Sequence, residues 1–264
     1  MLSKELILKQ MNTAYCGKNL IYLDETDSTN EYAKKIAATS ESGTLVVADC
    51  QKKGKGRLGR NWNSPAGTCI YMSLILKERI EPHKSPMVTL IAAMAVFDAV
   101  REKLSDVKIK WPNDIVVGGK KITGILTEMK SDSQETEYIV PGIGINVNNE
   151  EFAPEIAANA TSMKIEAGRD FDRSILIANV MKYFEKYYDE FLKTGDLSFI
   201  KEIYNDNLVN RNNEVEIISG EDSYRAAALG IDDSGALIVR KKDTGEIHTV
   251  VSGEVSVRGV YGYV

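Results

Sequence analysis

Two β-forming runs, Thr44-Leu45-Val46-Val47-Ala48 and residues 68–76, flank the segment Gly54-Lys55-Gly56-Arg57-Leu58-Gly59. The glycines match G-x-G-x-x-G, but a dinucleotide-binding turn must open into a helix whose first N–H groups face the pyrophosphate. Here Asn61, Asn63, Ser64, Pro65 and Gly67 follow, and proline and glycine bar a helix across that stretch. No G-K-[ST] closes a P-loop either. A strand–loop–strand unit is what this part of the chain can form, and the doubly wound dinucleotide fold is excluded here.

Charge sets the same loop apart. The 264-residue chain has a net charge of −5, with 33 Lys and Arg against 38 Asp and Glu. Yet no acid occurs between Cys50 and Lys77, while Lys52, Lys53, Lys55, Arg57, Arg60 and Lys77 all do. Two readings stay open: a solvated basic loop, or spaced cations on a glycine-rich backbone that wrap an anion. The acidic balance argues against a general nucleic-acid coat.

The surroundings alternate between helical and extended patterns. Helices are predicted over 3–11, 29–38, 87–104 and 174–193, the second with Ser28 as N-cap and Glu31 completing a capping box. Strands are predicted over 20–23, 44–48 and 68–76, then in "VKIKW", "IVV", "KITGILTEM" and "YIVPGIGINV", with Gly118-Gly119 as a hairpin turn. After Asn207 the texture changes to short strands separated by Gly, Asp and Ser, the pattern of a small antiparallel barrel. The division is placed near Arg211, giving units 1–211 and 212–264. With 43% hydrophobic and 27% charged residues, the chain can bury a sizeable core. No apolar run spans a bilayer, the charged start argues against a secretory signal, and Cys16, Cys50 and Cys69 lack metal or disulfide spacing. A cytoplasmic enzyme or binding protein is expected.

Three further motifs give the loop a context: "DSTN" at 27–30, "KWPND" at 110–114 and "GIGIN" at 142–146. With "GKGRLGRNW" at 54–62, and in this order, they make the sequence closely resemble the biotin–protein ligases, also called biotin–[acetyl-CoA-carboxylase] ligases. The resemblance runs over nearly the whole chain, including "GEVSVRG" at 253–259. It implies an α+β fold: a mixed β-sheet with flanking helices, like a class II synthetase, plus a small C-terminal SH3-like β-barrel. It also implies ATP-dependent conversion of biotin to biotinyl-5′-AMP and transfer to a lysine of a biotin carboxyl carrier domain. Biotin, ATP and Mg2+ carried with ATP are the expected ligands, with no protein metal site. A homodimer through a sheet edge is plausible from the family, and no DNA or membrane partner is expected. About twenty residues precede "LDETDSTN", too few for the helix-turn-helix of the family's repressors, so the monofunctional type is expected.

The resemblance assigns roles residue by residue. Arg57, Lys121 and Lys55 would meet the carboxylate and phosphate, with Arg60 in second rank. Asp114 would either help deprotonate or orient the incoming amine, or only pin its own loop by backbone hydrogen bonds. Gly54 and Gly56 would let backbone amides approach the adenylate. Ser28, Thr29, Asn30 and Gln51 would read the biotin ureido ring, and Gly124 would leave room for the ligand's ring. Trp62, Asn113 and Asn146 would surround adenine and ribose, with Trp62 either stacked on the base or plugging the core. Trp111 is assigned to packing, and His83 and His248 to no catalytic role. Lys55 stands where the family usually has Arg; it keeps the charge without the planar two-pronged donor. Lipoate–protein ligases are the alternative within the same chemistry, and a biotin-sensing DNA-binding regulator is the alternative outside it.

Overall fold

Seven strands join into one sheet: β1 (Leu20–Thr26), β2 (Thr44–Gln51), β3 (Ile70–Ile75), β4 (Val107–Lys110), β5 (Asp114–Val117), β6 (Lys120–Ser131) and β7 (Thr136–Ile145). They appear in a computed structural model that describes residues 2–219, 222–253, 255–259 and 263–264, with only the backbone of Val255. Residues 220, 221, 254 and 260–262 of the predicted C-terminal unit, Glu254 of "GEVSVRG" among them, lie outside the described residues. The strand order is β1-β2-β3-β7-β6-β5-β4. Helix α2 (Thr29–Ile36) crosses over between β1 and β2, so that pair is parallel; the other neighbours are antiparallel. Gly118 and Gly119, with φ of 55° and 77°, make the predicted two-residue turn between β5 and β6.

Alternation along the strands decides which face each side chain takes. Leu45, Val47, Ile70, Met72 and Leu74 enter the main core with helices α3 (Ser85–Arg101) and α6 (Arg173–Thr194). Helix α3 is buried on nearly every side because the sheet covers one flank and α6 the other. Val46, Ile75 and Val140 point the opposite way and meet Ala33 and Ala37 of α2. Helix α1 (Lys4–Gln10) packs on α6, and two short helices, α4 (Pro154–Ala157) and α5 (Met163–Ala167), follow β7. Among the described residues, no helix is long and apolar enough to cross a membrane.

One expectation fails at α2. Ser28 takes the N-cap position, but its side chain makes no capping bond. Glu31 turns outward to Lys34 and Lys55, at 2.9 and 2.5 Å, because ammonium partners outcompete a neutral backbone amide for a carboxylate. The capping box does not form.

Helix α7 (Ser198–Asp206) occupies a stretch in which the sequence showed no element. It buries only Ile200 and Tyr204, too few positions to stand out as a period. It leads into the second sheet: β8 (Glu214–Ser219), β9 (Asp222–Ile231), β10 (Leu237–Lys241), β11 (Ile247–Val250) and β12 (Val255–Gly259). The order is β11-β10-β9-β8-β12, antiparallel throughout. Residues 207–209 bond to β4 through Ile109 N–H to Asn207 O and Val209 N–H to Ile109 O, both 2.9 Å. Trp111 is buried beside this junction. Its indole N–H donates to Gly235 O in the β9–β10 turn at 2.9 Å, and its backbone N–H donates to Asn210 Oδ1 at 3.1 Å. Trp111→Phe strips the buried Gly235 carbonyl of its donor and leaves a gap. The unfolding free energy should fall by about 1–3 kcal/mol in a denaturant titration; an unchanged midpoint would refute this coupling.

Candidate active site

Directly paired residues in a sheet share a face. Gly124 of β6 pairs with Gly144 of β7, Leu126 with Gly142, and Tyr71 and Ser73 of β3 with Gly144 and Gly142. Three glycines therefore strip the side chains from one patch of the sheet. A Cβ on Gly142 would lie 1.9 Å from Asn30 Oδ1, and one on Gly144 would lie 2.6 Å from Trp62 Nε1. At Gly124 it would meet the Trp62 ring at 2.9 Å and Lys121 Nζ at 3.1 Å. Gly124 lines the cleft, and a side chain there would crowd Trp62 and Lys121. Asn30 and Trp62 rest on bare backbone two residues apart along the strands, about 7 Å. A cleft of about 700 Å³ opens over them, within the usual range for small-molecule sites.

At the Asn30 end, Ser28, Thr29 and Asn30 are buried at the start of α2. Thr29 donates to Gln51 Oε1 from its backbone N–H at 2.9 Å and its hydroxyl at 3.2 Å, while Gln51 Nε2 donates to Ser64 Oγ at 2.9 Å. Asn30 Nδ2 donates to Leu126 O at 3.1 Å and Glu128 Oε2 at 2.8 Å. Ser73 Oγ stands 2.6 Å from Asn30 Oδ1 and 2.8 Å from Thr29 Oγ1. Ser73 and Glu128 were missed in the sequence because only strand register brings them under α2.

At the other end the glycine loop closes on itself. Trp62 N–H donates to Gly54 O at 2.9 Å and Gly56 N–H to Arg60 O at 2.7 Å, around a turn at Arg57–Gly59. Gly56 lines the cleft, with its amide bonded to Arg60 O within the loop. One reading changes. Gly54 does not line the cleft; a Cβ there would lie 2.3 Å from Trp62 O and 2.5 Å from Ser64 Oγ, so the residue serves loop closure. Lys55 lines the cleft but pairs with Glu31, whose carboxyl the hydrogen bonds from Lys55 and Lys34 hold down at about 2.

Arg57 donates to Asn113 Oδ1 at 2.9 Å and to Gly253 O at 2.7 Å. Burial lowers its guanidinium from the ordinary value, with Asp114 opposing. Lys121 Nζ lies 2.6 Å from Asp114 Oδ1 and 5.4 Å from the centre of the Trp62 ring, and the Tyr263 hydroxyl donates to Asp114 Oδ2. Asn113 Nδ2 also donates to Ile125 O at 3.0 Å, and Asn146 Nδ2 to Thr161 O at 3.1 Å, so both amides brace the walls they line. Arg60 lines the cleft as well, and Phe152 and Ile156 of the segment after β7 add an apolar rim that no motif had marked. His83 and His248 are not part of the lining. Among the described residues no group of three His, Cys, Asp or Glu side chains is placed to hold a metal.

Lys110, the first residue of "KWPND", was passed over in the sequence. It is buried, and its ammonium donates to the Tyr263 carbonyl. Burial pushes it down to about 8, helped by Lys121, Arg60 and Arg258 and opposed by Asp114. Below pH 8 the folded and unfolded chains both carry this proton, and the folded chain bears the full cost of the buried charge. Between about 8 and the ordinary 10.5 only the unfolded chain keeps the proton, so stability rises with pH. Relative to Lys110→Met, the wild-type chain should gain up to about 3 kcal/mol across that window in denaturant unfolding. Parallel pH curves would refute the assignment.

The geometry can be set beside known proteins. Residues 22–146 match the model of the biotin/lipoate A/B protein ligase family, and residues 212–258 match the biotin protein ligase C-terminal domain. The bifunctional ligase/repressor BirA of Bacillus subtilis is 37% identical over 246 residues, 92% of this chain and 75% of that protein. The biotin–[acetyl-CoA-carboxylase] ligase of Paracoccus denitrificans is 30% identical over 224 residues, 83% of this chain and 92% of that one. In structure, the biotin protein ligase of Aquifex aeolicus in complex with biotin and ATP matches with a TM-score of 0.79 at 32% identity, covering 92% of this chain and 99% of that one. Both sheets thus have counterparts, and most of the residues that line the cleft fall within the matched segments: the chain belongs to the biotin protein ligase family, as an enzyme of the biotin–[acetyl-CoA-carboxylase] ligase type.

Proposed function

We propose that this cleft converts biotin to biotinyl-5′-AMP and passes the biotinyl group to one lysine of a biotin carboxyl carrier domain, with biotin and magnesium-bound ATP as substrates. The observation that carries the reading is the glycine floor. It holds a neutral polar cluster at Thr29, Asn30 and Gln51 about two residues along the strands from the Lys121–Asp114 pair and Trp62. An uncharged ureido ring must be read by donors and acceptors, which the first group offers; a carboxylate and a phosphate need cations, which the second supplies.

In the first step a biotin carboxylate oxygen attacks the α-phosphorus. A new O–P bond forms, the bond to the α–β bridging oxygen breaks, and pyrophosphate leaves. Two unit charges 4 Å apart repel by about 1 kcal/mol in water and about 4 kcal/mol at an effective dielectric of 20. Arg57 and Lys121, already held by Asn113 and Asp114, meet that charge without reorganising. Lys55, turned to Glu31, takes a lesser part. In the second step the neutral lysine amine attacks the acyl carbon, a C–N bond replaces the C–O bond to phosphate, AMP leaves, and the nitrogen loses a proton to water. Lys121 and Tyr263 engage both oxygens of Asp114, which favours an orienting role over a free base. Trp62, which a core plug would bury, lines the cleft beside Lys121, where a base can stack.

The reading includes no DNA or membrane partner, because Lys52, Lys53 and Lys55 pair with Glu25, Asp27 and Glu31. It sets the protein in the cytoplasm with Cys16, Cys50 and Cys69 as thiols, and divides the chain into a catalytic unit 1–211 and a module 212–264. A homodimer through a sheet edge would use β1, since β4 is bonded to residues 207–209.

Pyrophosphate exchange into ATP should depend on biotin and not on lipoate; exchange with lipoate alone would overturn the substrate. Arg57→Gly removes a charge-assisted contact, so it should release biotinyl-5′-AMP about ten- to a hundredfold faster in a rapid-dilution assay. An unchanged release rate would show that Arg57 does not hold the adenylate.

A further inference from the structure

The seven-stranded sheet does not finish the cationic end of the cleft. The C-terminal sheet lends it Ser256, Val257 and Arg258 as lining, and the Gly253 carbonyl accepts from Arg57 at 2.7 Å. Tyr263 does more than line it. Its hydroxyl donates to Asp114 Oδ2, and its backbone carbonyl accepts from Lys110, whose Nζ lies 3.4 Å from the centre of the tyrosine ring. Val264 beside it reaches the β5–β6 turn, where its Cγ2 would lie 3.5 Å from a Cβ on Gly119. Tyr263 and Val264 are therefore seated on the hairpin that begins with Asp114, and Tyr263 bonds to both the first and the last residue of "KWPND".

We propose that Tyr263 is a positioning residue for adenylate formation, acting through Asp114. A carboxylate held by one oxygen turns about its Cβ–Cγ bond and carries its partner with it. With Lys121 on Oδ1 and the Tyr263 phenol on Oδ2, that rotation is blocked, and Lys121 Nζ is kept beside Trp62, where the α-phosphate is met. Burial and the charge of Asp114 hold the phenol well above its usual range, so it remains a donor at every pH at which the enzyme works. This role of Tyr263 rests on Lys121 meeting the α-phosphate and on Asp114 orienting it.

Tyr263→Phe keeps the ring over Lys110 and the backbone carbonyl, and removes only the hydroxyl. Single-turnover formation of biotinyl-5′-AMP in the full chain should slow about tenfold, the worth of one charge-assisted hydrogen bond, with the affinity for biotin unchanged. In an Asp114→Asn background the same replacement should add no further loss, a signature that a general packing role would not produce. A wild-type rate, a loss carried by biotin affinity, or an equal loss in both backgrounds overturns the proposal. Lys121→Ala separates the two levels of inference. Full adenylation in that variant sinks the reading of the site itself, whereas a crippled Lys121→Ala beside a normal Tyr263→Phe sinks only the role of Tyr263.

Discussion

Contact between side chains and bare sheet backbone at Gly124, Gly142 and Gly144 holds the site together. Glycine inside a strand costs about 0.5–1 kcal/mol relative to alanine, so three on one patch make a local weakness. The return is depth. Asn30 comes within the space of a missing Cβ at Gly142, and the Trp62 ring rests against Gly124 and Gly144. From these two seats the rest follows: Asn30 gathers Ser73, Leu126 and Glu128, and Trp62 anchors the loop through Gly54 and sits under Lys121. Adding one methyl at Gly142 would displace the Asn30 amide from all of its partners at once.

The second organising term is charge. Arg57, Lys110 and Lys121 crowd one end of the cleft, with Asp114 as the carboxylate between them. Burying cations in excess is costly unless each has a partner fixed in advance. Each cation has a partner already in place: Arg57 has Asn113 and Gly253, Lys121 has Asp114, and Lys110 has Tyr263. The lowering of Lys110 to about 8 reflects its burial and the residual positive field of its neighbours. A site that must bring a carboxylate up to a phosphate benefits from such an unbalanced, preorganised field.

Much of this was legible in the chain. The glycine loop, "KWPND", Lys121 and "GIGIN" converge on one cleft, as the resemblance implied, with Gly54 the exception among the residues given a role. Its glycine answers to Trp62 O and Ser64 Oγ, a steric demand made by the far end of the same loop. Ser73, Glu128, Lys110 and Tyr263 escaped notice for a different reason. Ser73 looks like any polar residue in a strand, Glu128 like any acid facing solvent, and Lys110 like a strand-end lysine; Tyr263 lies 149 residues from the carboxylate it meets.

Local chemistry along the chain settles whatever depends on neighbours a few positions apart. Pro65 and Gly67 ruled out a helix after the glycine loop, Gly118-Gly119 required a hairpin, and the β-forming runs at 44–48 and 68–76 required strands. These follow from backbone sterics and side-chain periodicity, which act over one turn or one pleat. The pairings come from the assembled fold: Glu31 with Lys55 instead of its own helix cap, Arg57 with Asn113, and Tyr263 with Asp114. Strand order and register choose such partners, and both are set by the packing of the entire sheet, so no stretch of the chain a few residues long contains them.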